Sequence, residues 1–317
     1  MNNAPLVSII AICYNHTAFL ERTINSILQQ NYPNLEVILI DDHSSDNSVE
    51  LLRKHAKEYN WLLIENNINI GLCKSFNKGL KICQGEFVID LALDDILLPA
   101  RVNEQVRTFQ TLPKDYAIVY SNANYIDEND QLIGIHHNKE ASFHPSGNLF
   151  TAIVQDYFIC SPTVMTRKNA LLEIGGYDEE LQFEDWDFWL RISRKYKFSY
   201  IDKILTEKRI LKTSLSSAFF NQKSHLMHQS IVAICRKITE YCSTAEEKKA
   251  FNERLNYQIK EAYLSGCFDE MRELSTLYPK EFPISKRIKV LLFFSYLTPQ
   301  LIRLFYSYYR FKKALHN

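Results

Sequence analysis

Short apolar runs alternate with segments of helical periodicity through the first third of the chain, and this alternation constrains the fold most. The runs are rich in β-branched residues and predict buried strands: "LVSIIAI", "LEVILI", "WLLIE" and "EFVIDLAL". Helices are predicted from Thr17 as N-cap, over Ser48 to Tyr59, over Cys73 to Cys83, and from Pro99 to about Thr111. Strands that alternate with helices predict an α/β fold, with a mostly parallel sheet and helices on both faces.

Length and charge predict two parts and argue against one class of function. A chain of 317 residues exceeds the usual size of one compact domain. The pattern turns helical after about Ser217, so we predict an α/β domain over residues 1–217 and a helical region over residues 218–317. Lys+Arg and Asp+Glu both number 37, and this balance argues against a general nucleic-acid binder.

The N-terminal residues and the cysteines both favour the cytoplasm. The start, "MNNAPLVSII", lacks the basic region and the long apolar core of a signal peptide. Seven cysteines are scattered without paired metal-ligand spacing. We interpret them as reduced thiols that mostly fill the core.

Two acidic pairs directly follow predicted strands: Asp41-Asp42 after "LEVILI", and Asp94-Asp95 after "EFVIDLAL". Ligands of such sheets bind outside the carboxyl ends of the strands, so both pairs are predicted on one rim. No G-x-G-x-x-G follows the first strand and no P-loop sequence occurs, so dinucleotide and P-loop sites lose support. Carboxylates at this rim suit Mg²⁺ or Mn²⁺ that bridges to phosphate oxygens. The alternative is a solvated turn after each strand.

Three blocks of sequence carry a resemblance to a known family. They are "VSIIAICYNHTAFLERTINSILQQNYPNLEVILIDDHSSDNS", "NINIGLCKSFNKGLKICQGEFVIDLALDDILLP" and "IGGYDEELQFEDWDFWLR". In this order and spacing, over about the first 215 residues, they resemble the family 2 glycosyltransferases, which have the Rossmann-like GT-A fold. The resemblance implies transfer of a sugar from a nucleotide-diphosphate donor, with a UDP-sugar favoured, to an acceptor hydroxyl, usually with inversion.

The resemblance also implies roles for residues on the donor side. Tyr14 and Asn15 match the first loop that meets the nucleotide, and Asp42 matches the acid that accepts a hydrogen bond from the base. Lys74 falls in the loop region near the diphosphate. Asp94 matches the second acid of the D-x-D motif, which is expected on the metal, and Asp95 is its acidic neighbour, either a supporting ligand or an orienting group.

Within the resemblance, the segment "FEDWDFWLR" contains the residues expected to act on the acceptor. Inverting transfer needs a base within reach of the attacking hydroxyl, and Asp185 of the E-D pair is the predicted base. Glu184 either raises the pKa of Asp185 by like-charge repulsion or orients the acceptor. The same acids are typical of the first turn of a helix, which is our interpretation of Asp187. In "IGGYDEEL", Gly175 and Gly176 are expected to permit a tight turn that shapes the acceptor pocket.

Two positions depart from the family pattern. Ala92 stands where the D-x-D motif has its first acid, and Leu211 stands where "KRILKTSLS" would have a histidine that can reach the metal. A non-catalytic nucleotide-sugar binder or scaffold protein of the same fold is therefore the rival hypothesis. A nucleotidyltransferase is disfavoured because no basic, glycine-rich phosphate loop follows the first strand.

The C-terminal segment "KRIKVLLFFSYLTPQLIRLFYSYYRFKK" is basic, aromatic and apolar at once. Its apolar runs are shorter than the ~20 residues of a spanning helix. We expect peripheral contact of residues 282–317 with the inner face of the cell membrane, where a glycan or lipid-linked glycan acceptor of cell-surface polysaccharide or lipopolysaccharide synthesis would lie. The alternative is packing against the α/β domain or a second subunit. A flexible loop after Ile210 is expected to close over the donor.

Overall fold

The computed structural model describes residues 4–137, 145–211 and 224–297. The chain divides into two compact units: unit 1 comprises residues 1–149, 158–179 and 191–211, and unit 2 comprises residues 150–157, 180–190 and 212–317. The predicted domain boundary at residue 217 and the predicted loop after Ile210 fall largely in residues 212–223, outside the described residues.

Unit 1 contains one mixed sheet with helices packed on it. Its strands are β1 (Val7–Cys13), β2 (Leu35–Asp41), β3 (Leu62–Glu65), β4 (Phe87–Ala92), β5 (Ile96–Leu97), β6 (Tyr116–Ile126), β7 (Leu132–Ile135), β8 (Met165–Arg167) and β9 (Lys197–Arg209). Its helices are α1 (Thr17–Leu28), α2 (Ser48–Tyr59), α3 (Leu72–Ile82), α4 (Arg101–Thr111) and α6 (Lys168–Glu173). A short 3-10 turn, Ser161–Thr163, precedes β8.

The strand order is β3-β2-β1-β4-β8-β6-β9-β5, with β7 paired to β6. The first four strands are parallel, β8 is antiparallel to both of its neighbours, and β6 and β9 are parallel. All seven residues of β1 are buried, as expected for a strand covered on both faces. The α/β, mostly parallel sheet that the sequence predicted is confirmed.

The start of α1 differs from the prediction. Its N-cap is His16, without a side-chain cap, and not Thr17. The loop before α2 and the first residue of α2 supply the acceptors instead: Asp46 Oδ2 accepts from Thr17 N at 3.1 Å, and Ser48 Oγ accepts from His16 N at 3.0 Å. The cap is thus provided by residues distant in sequence, which local patterns do not show.

Unit 2 is helical. It contains α5 (Phe150–Gln155), α8 (Ser224–Tyr241), α9 (Ala245–Leu264), α10 (Phe268–Leu274) and α11 (Lys286–Leu297), and α7 (Glu184–Ser193) begins in it. Trp186 is fully buried there, where its Nε1 donates to Ile153 O at 2.8 Å and Arg254 stacks on its ring at 4.6 Å. Among the described residues, no helix is both long and apolar enough to cross a membrane.

The cysteines have the structural role that the sequence predicted. None of the seven, all within the described residues, forms a disulfide; six are buried and Cys242 is partly exposed.

The glycine pair after α6 forms the tight turn that the sequence predicted. Gly175 and Gly176 have φ of +81° and +73°. The side chain of Asn77 holds the residues that follow: its Oδ1 accepts from Tyr177 N at 3.0 Å, and its Nδ2 donates to Tyr177 O at 2.9 Å. Tyr177 itself is buried against Phe76, with ring centroids 4.4 Å apart.

A matched pair of alanine variants separates backbone strain from steric clash in this turn. Gly175→Ala is expected to lower the free energy of unfolding by about 1–2 kcal/mol, because only the left-handed φ opposes it and nothing lies within 4 Å of the new Cβ. Gly176→Ala is expected to cost about 1–3 kcal/mol more, since its Cβ would lie 2.4 Å from Asn77 Oδ1. Denaturant unfolding measures both, and equal losses would contradict the assignment of a clash.

Candidate functional site

The register of the parallel strands places their carboxyl ends level on one rim of unit 1. Cys13 of β1 lies opposite Asp41 of β2, and Asp41 lies opposite Glu65 of β3. On the other side of β1, Ile12 lies opposite Ala92 of β4. The residues that follow these strand ends, which include most of the predicted donor-side residues, therefore share this rim.

The loop after β1 is fixed by the loop after β2. Asn15 has a left-handed backbone, with φ of 59°. Its Oδ1 accepts from Ser45 N at 2.7 Å, and its own N–H donates to Ser44 Oγ at 3.0 Å. Asn15 thus shapes the loop, whereas the side chain of Tyr14 is 47% exposed and is accessible to a ligand.

Asp42 is buried and joins the end of β2 to the segment before α3. Its Oδ1 accepts from Asn66 Nδ2 and from Ile70 N, both at 2.9 Å, and its Oδ2 accepts from Gly71 N at 2.8 Å. A carboxylate has about four acceptor positions, so Oδ2 keeps one for a further donor.

Asn66 extends this network in a way that the sequence did not reveal. Its Nδ2 also donates to Ser75 Oγ at 2.9 Å, and its Oδ1 accepts from Lys78 Nζ at 2.7 Å. The predicted phosphate-side lysine, Lys74, is exposed in the first turn of α3 and lies outside this network.

Asp41 has a different environment from its neighbour. It is 3% exposed, and its Oδ2 accepts from Ser44 N at 2.9 Å. Its Oδ1 has no hydrogen-bond partner within the described part of the chain. Sequence reasoning placed the pair on the rim but gave Asp41 no role.

The second acidic pair follows β4. Asp94 is half-buried, and its carboxylate has no hydrogen bond or ion pair with residues 4–137, 145–211 or 224–297. Asp95 is 5% exposed, and its Oδ1 accepts from Arg209 N at 2.8 Å. Burial, and then the charge of Asp94, raise the pKa of Asp95 to about 8. A hard cation takes oxygen donors such as these two carboxyl groups, of which one has unengaged oxygens and the other is buried next to a like charge.

Arg209, the last residue of β9, holds this acidic corner in place. Its Nε donates to Asp94 O at 3.0 Å, and its two terminal nitrogens donate to Asp127 O at 2.7 Å and Asp130 Oδ1 at 2.6 Å. The guanidinium also stacks on Phe19 at 4.5 Å. Sequence reasoning missed this residue; the only local signal was its place just before "ILKTSLS", near the expected metal-reaching position.

The two departures from the family pattern are visible in the structure. Ala92 ends β4 and offers no ligand atom. Leu211 is 8% exposed and is packed as an apolar side chain. Within the described residues, Asp94 and Asp95 are therefore the carboxylates of the predicted motif that remain at the end of β4.

The predicted catalytic acids lie at the start of α7, in unit 2. Asp185 is 8% exposed; its Oδ1 accepts from Trp186 N at 2.7 Å, and its Oδ2 accepts from the hydroxyl of Tyr157. Glu184 is half-buried. Asp187 is 1% exposed and forms an ion pair with Lys237 Nζ at 2.7 Å, so its role is to join α7 to α8.

Comparisons with known proteins agree with this architecture. The family profile described as Glycosyl transferase family 2 matches residues 8–175. An uncharacterized glycosyltransferase of Methanocaldococcus jannaschii is 31% identical over 214 residues, which are 65% of this chain and 71% of that protein. The hyaluronan synthase of Pasteurella multocida is 26% identical over 294 residues, which are 88% of this chain but only 29% of that protein.

A solved structure extends the likeness to most of the fold. Residues 1–349 of S. aureus TarS, in complex with UDP-GlcNAc, match with a TM-score of 0.69 at 18% identity, covering 90% of this chain and 84% of that one. The GT-A fold predicted from the sequence is confirmed.

Proposed function

The chain belongs to glycosyl transferase family 2, and we propose that it transfers a sugar from a nucleotide-diphosphate donor to an acceptor hydroxyl with inversion. The observation that carries the proposal is the acidic corner after β4, where the carboxylate of Asp94 has no hydrogen bond or ion pair among the described residues and lies next to the buried Asp95. It shares the sheet rim with Asp42. A UDP-sugar is the favoured donor, and the complex of TarS with UDP-GlcNAc supports this choice.

The acidic corner fits a divalent cation. Asp94 would hold Mn²⁺ or Mg²⁺, with Asp95 as a supporting ligand, because a nearby cation offsets both the burial and the repulsion from Asp94 that raise the pKa of Asp95. Such an ion would neutralise the donor diphosphate and assist departure of the nucleotide. Arg209 positions both acids through the main chain of Asp94 and the carboxylate of Asp95.

The nucleotide is proposed to bind at the ends of β1 and β2. The free acceptor position on Asp42 Oδ2 would take a base N–H, while the hydrogen bonds from Ile70 and Gly71 keep the carboxylate in place. Tyr14 offers an exposed ring just after the end of β1, and Asn15 shapes the loop that carries this ring. Lys74, exposed at the start of α3, would face the diphosphate.

Asp185 is proposed to remove the proton from the acceptor hydroxyl, with Glu184 orienting the acceptor. A base must be oriented as well as unprotonated, and the two donors to Asp185, from Trp186 N and Tyr157, fix the orientation of its carboxylate. Likeness to a hyaluronan synthase supports an acceptor of the glycan class, free or lipid-linked, in cell-surface polysaccharide synthesis.

Nucleotide binding tests the donor site directly. Calorimetric titration of UDP is expected to show binding in Mn²⁺ that weakens in EDTA. Asp94→Asn is expected to weaken UDP binding in Mn²⁺ at least about tenfold, because a metal ligand is lost. Asp115→Asn is the matched control, since Asp115 forms an ion pair with exposed Lys197 just before the start of β6, away from the rim.

Two results would contradict this assignment. UDP affinity that is equal in Mn²⁺ and EDTA, and unchanged in Asp94→Asn, would exclude the metal site and favour the non-catalytic binder. The replacement of the first D-x-D acid by Ala92 is consistent with that alternative. Failure to bind either UDP or GDP would exclude the proposed nucleotide site itself.

The role of Asp185 is tested by turnover. With UDP-GlcNAc as donor and water as acceptor, Asp185→Asn is expected to lower kcat for UDP release about 10²–10⁴-fold, the usual contribution of a general base. The KM of the donor is expected to change little, because Asp185 acts on the acceptor. Glu184→Gln should lower kcat less. A kcat of Asp185→Asn close to that of the unaltered enzyme would show that another group is the base.

Helix α11 supports a peripheral membrane location. Its exposed surface carries the basic side chains of Lys286, Arg287 and Lys289, and no acidic residue occurs in the helix. Large apolar side chains are exposed beside them: Val290 (52%), Phe293 (60%), Phe294 (44%) and Tyr296 (70%). Basic groups with exposed aromatics suit an anionic lipid surface. The rest of the predicted segment, residues 298–317, lies outside the described residues.

Co-sedimentation with anionic liposomes at low salt tests this location. The full chain is expected to sediment with them, and Lys286→Gln combined with Arg287→Gln and Lys289→Gln is expected to weaken binding by about 1 kcal/mol per charge. The matched control replaces the exposed Lys54, Lys57 and Lys81 with Gln. Equal loss in both triple variants, or no sedimentation of the folded protein, would contradict a specific role of α11.

A further inference from the structure

A histidine, a cysteine and a glutamate converge in unit 2, outside the residues proposed for catalysis. His225 lies at the start of α8, Cys267 is the N-cap of α10, and Glu270 lies in the first turn of α10. One donor atom from each lies within 4.8 Å of the other two. We propose that these three side chains bind a zinc-like transition-metal ion that joins α8 to α10.

The buried carboxylate gives independent support. Glu270 is 6% exposed, and only one of its oxygens is engaged: Oε1 lies 3.0 Å from His225 Nδ1. Oε2 is buried and has no hydrogen-bond partner in the described part of the chain. An unsatisfied buried carboxylate oxygen is costly, and a bound cation removes that cost.

The donor atoms lie near enough for a small tetrahedral ion to bind after a small contraction of the cluster. Zinc lies about 2.0–2.3 Å from N, O and S ligands, which sets ligand atoms roughly 3.3–3.8 Å apart in a tetrahedron. The observed limit of 4.8 Å requires a contraction of about 1 Å. His225 can supply this movement because its side chain is 48% exposed.

The mixture of donors favours zinc over magnesium or calcium. Thiolate and imidazole are ligands of transition metals, whereas Mg²⁺ and Ca²⁺ take oxygen donors. When the ion binds, Cys267 gives up its thiol proton to solvent, and the thiolate and the Glu270 carboxylate together balance the two positive charges. Three protein ligands leave a fourth position for water.

The consequence of binding is a cross-link within unit 2. Cys267 is fully buried, and α10 packs on α8 and α9. His225 is in the first turn of α8, the first helix after residues 212–223. The ion would therefore fix the N-terminal turn of α8 on the start of α10.

Cobalt serves as the spectroscopic probe. Co²⁺ added to the reduced, metal-stripped full chain is expected to give a thiolate-to-cobalt charge-transfer band in the near ultraviolet and the intense visible bands of tetrahedral cobalt, and Zn²⁺ is expected to remove them by competition. Cys267→Ser should abolish the charge-transfer band, whereas Cys242→Ser, at the partly exposed cysteine, should retain it. Glu270→Gln and His225→Gln should each weaken Co²⁺ binding at least tenfold, and Asp269→Asn, at the exposed neighbour, should not.

The outcomes separate this site from the donor site. Asp94→Asn should keep the charge-transfer band, because no thiol belongs to the acidic corner after β4. Absence of the band from the unaltered protein at saturating Co²⁺ would overturn the proposal, and the cluster would then be only an ion pair of His225 and Glu270. This result is read without any variant, so it holds even if Cys267→Ser fails to fold. A band that persists in folded Cys267→Ser would also overturn it.

Discussion

The register of β1 with its two parallel neighbours is the constraint on which the proposed donor site depends. Because Cys13, Asp41 and the end of β4 lie level, loops that are far apart in sequence begin at the same rim. Each loop then binds its neighbour: Asn15 holds the loop after β2, and Asp42 holds the segment before α3. A slip of one residue in β1 would turn its buried side chains to the opposite face and separate these loops.

The sequence was sufficient for the first four strands, for the four helices up to Thr111, and for the position of the two acidic pairs after β2 and β4. Buried parallel strands are continuous apolar runs, so β1, β2 and β4 can be recognised in the sequence. An acid that directly follows such a run lies at the carboxyl end of the strand, on the rim of the sheet. The glycine pair at 175–176 was also predictable, because a left-handed turn selects glycine. The family motifs added roles for Asp42, Asp94 and Asp185, which stay predictions.

Contacts between distant residues could not be predicted. Asn66, Lys78 and Arg209 belong to no motif, and each acts through partners that only the folded chain brings near. The prediction of Thr17 as the N-cap of α1 was wrong for the same reason, since Asp46 and Ser48 accept the hydrogen bonds that a local cap would accept. Asp41 and Asp42 are adjacent residues of the same type, yet Asp42 Oδ1 accepts from Ile70 N whereas Asp41 Oδ1 has no partner among the described residues. This difference arises from the loops that surround the pair.

Arg209 links the end of β9 to the acidic corner through several hydrogen bonds. One residue contributes its amide to Asp95, its Nε to the main chain of Asp94, and its terminal nitrogens to the turn at Asp127 and Asp130. A shift of this strand end would break several hydrogen bonds at once, so small displacements are resisted. A larger displacement would release Asp94, Asp95 and the turn at Asp127 and Asp130 together. The geometry of the two carboxylates is therefore set in part by a strand more than a hundred residues further along the chain, so a change at the end of β9 would alter the acidic corner without any change in β4.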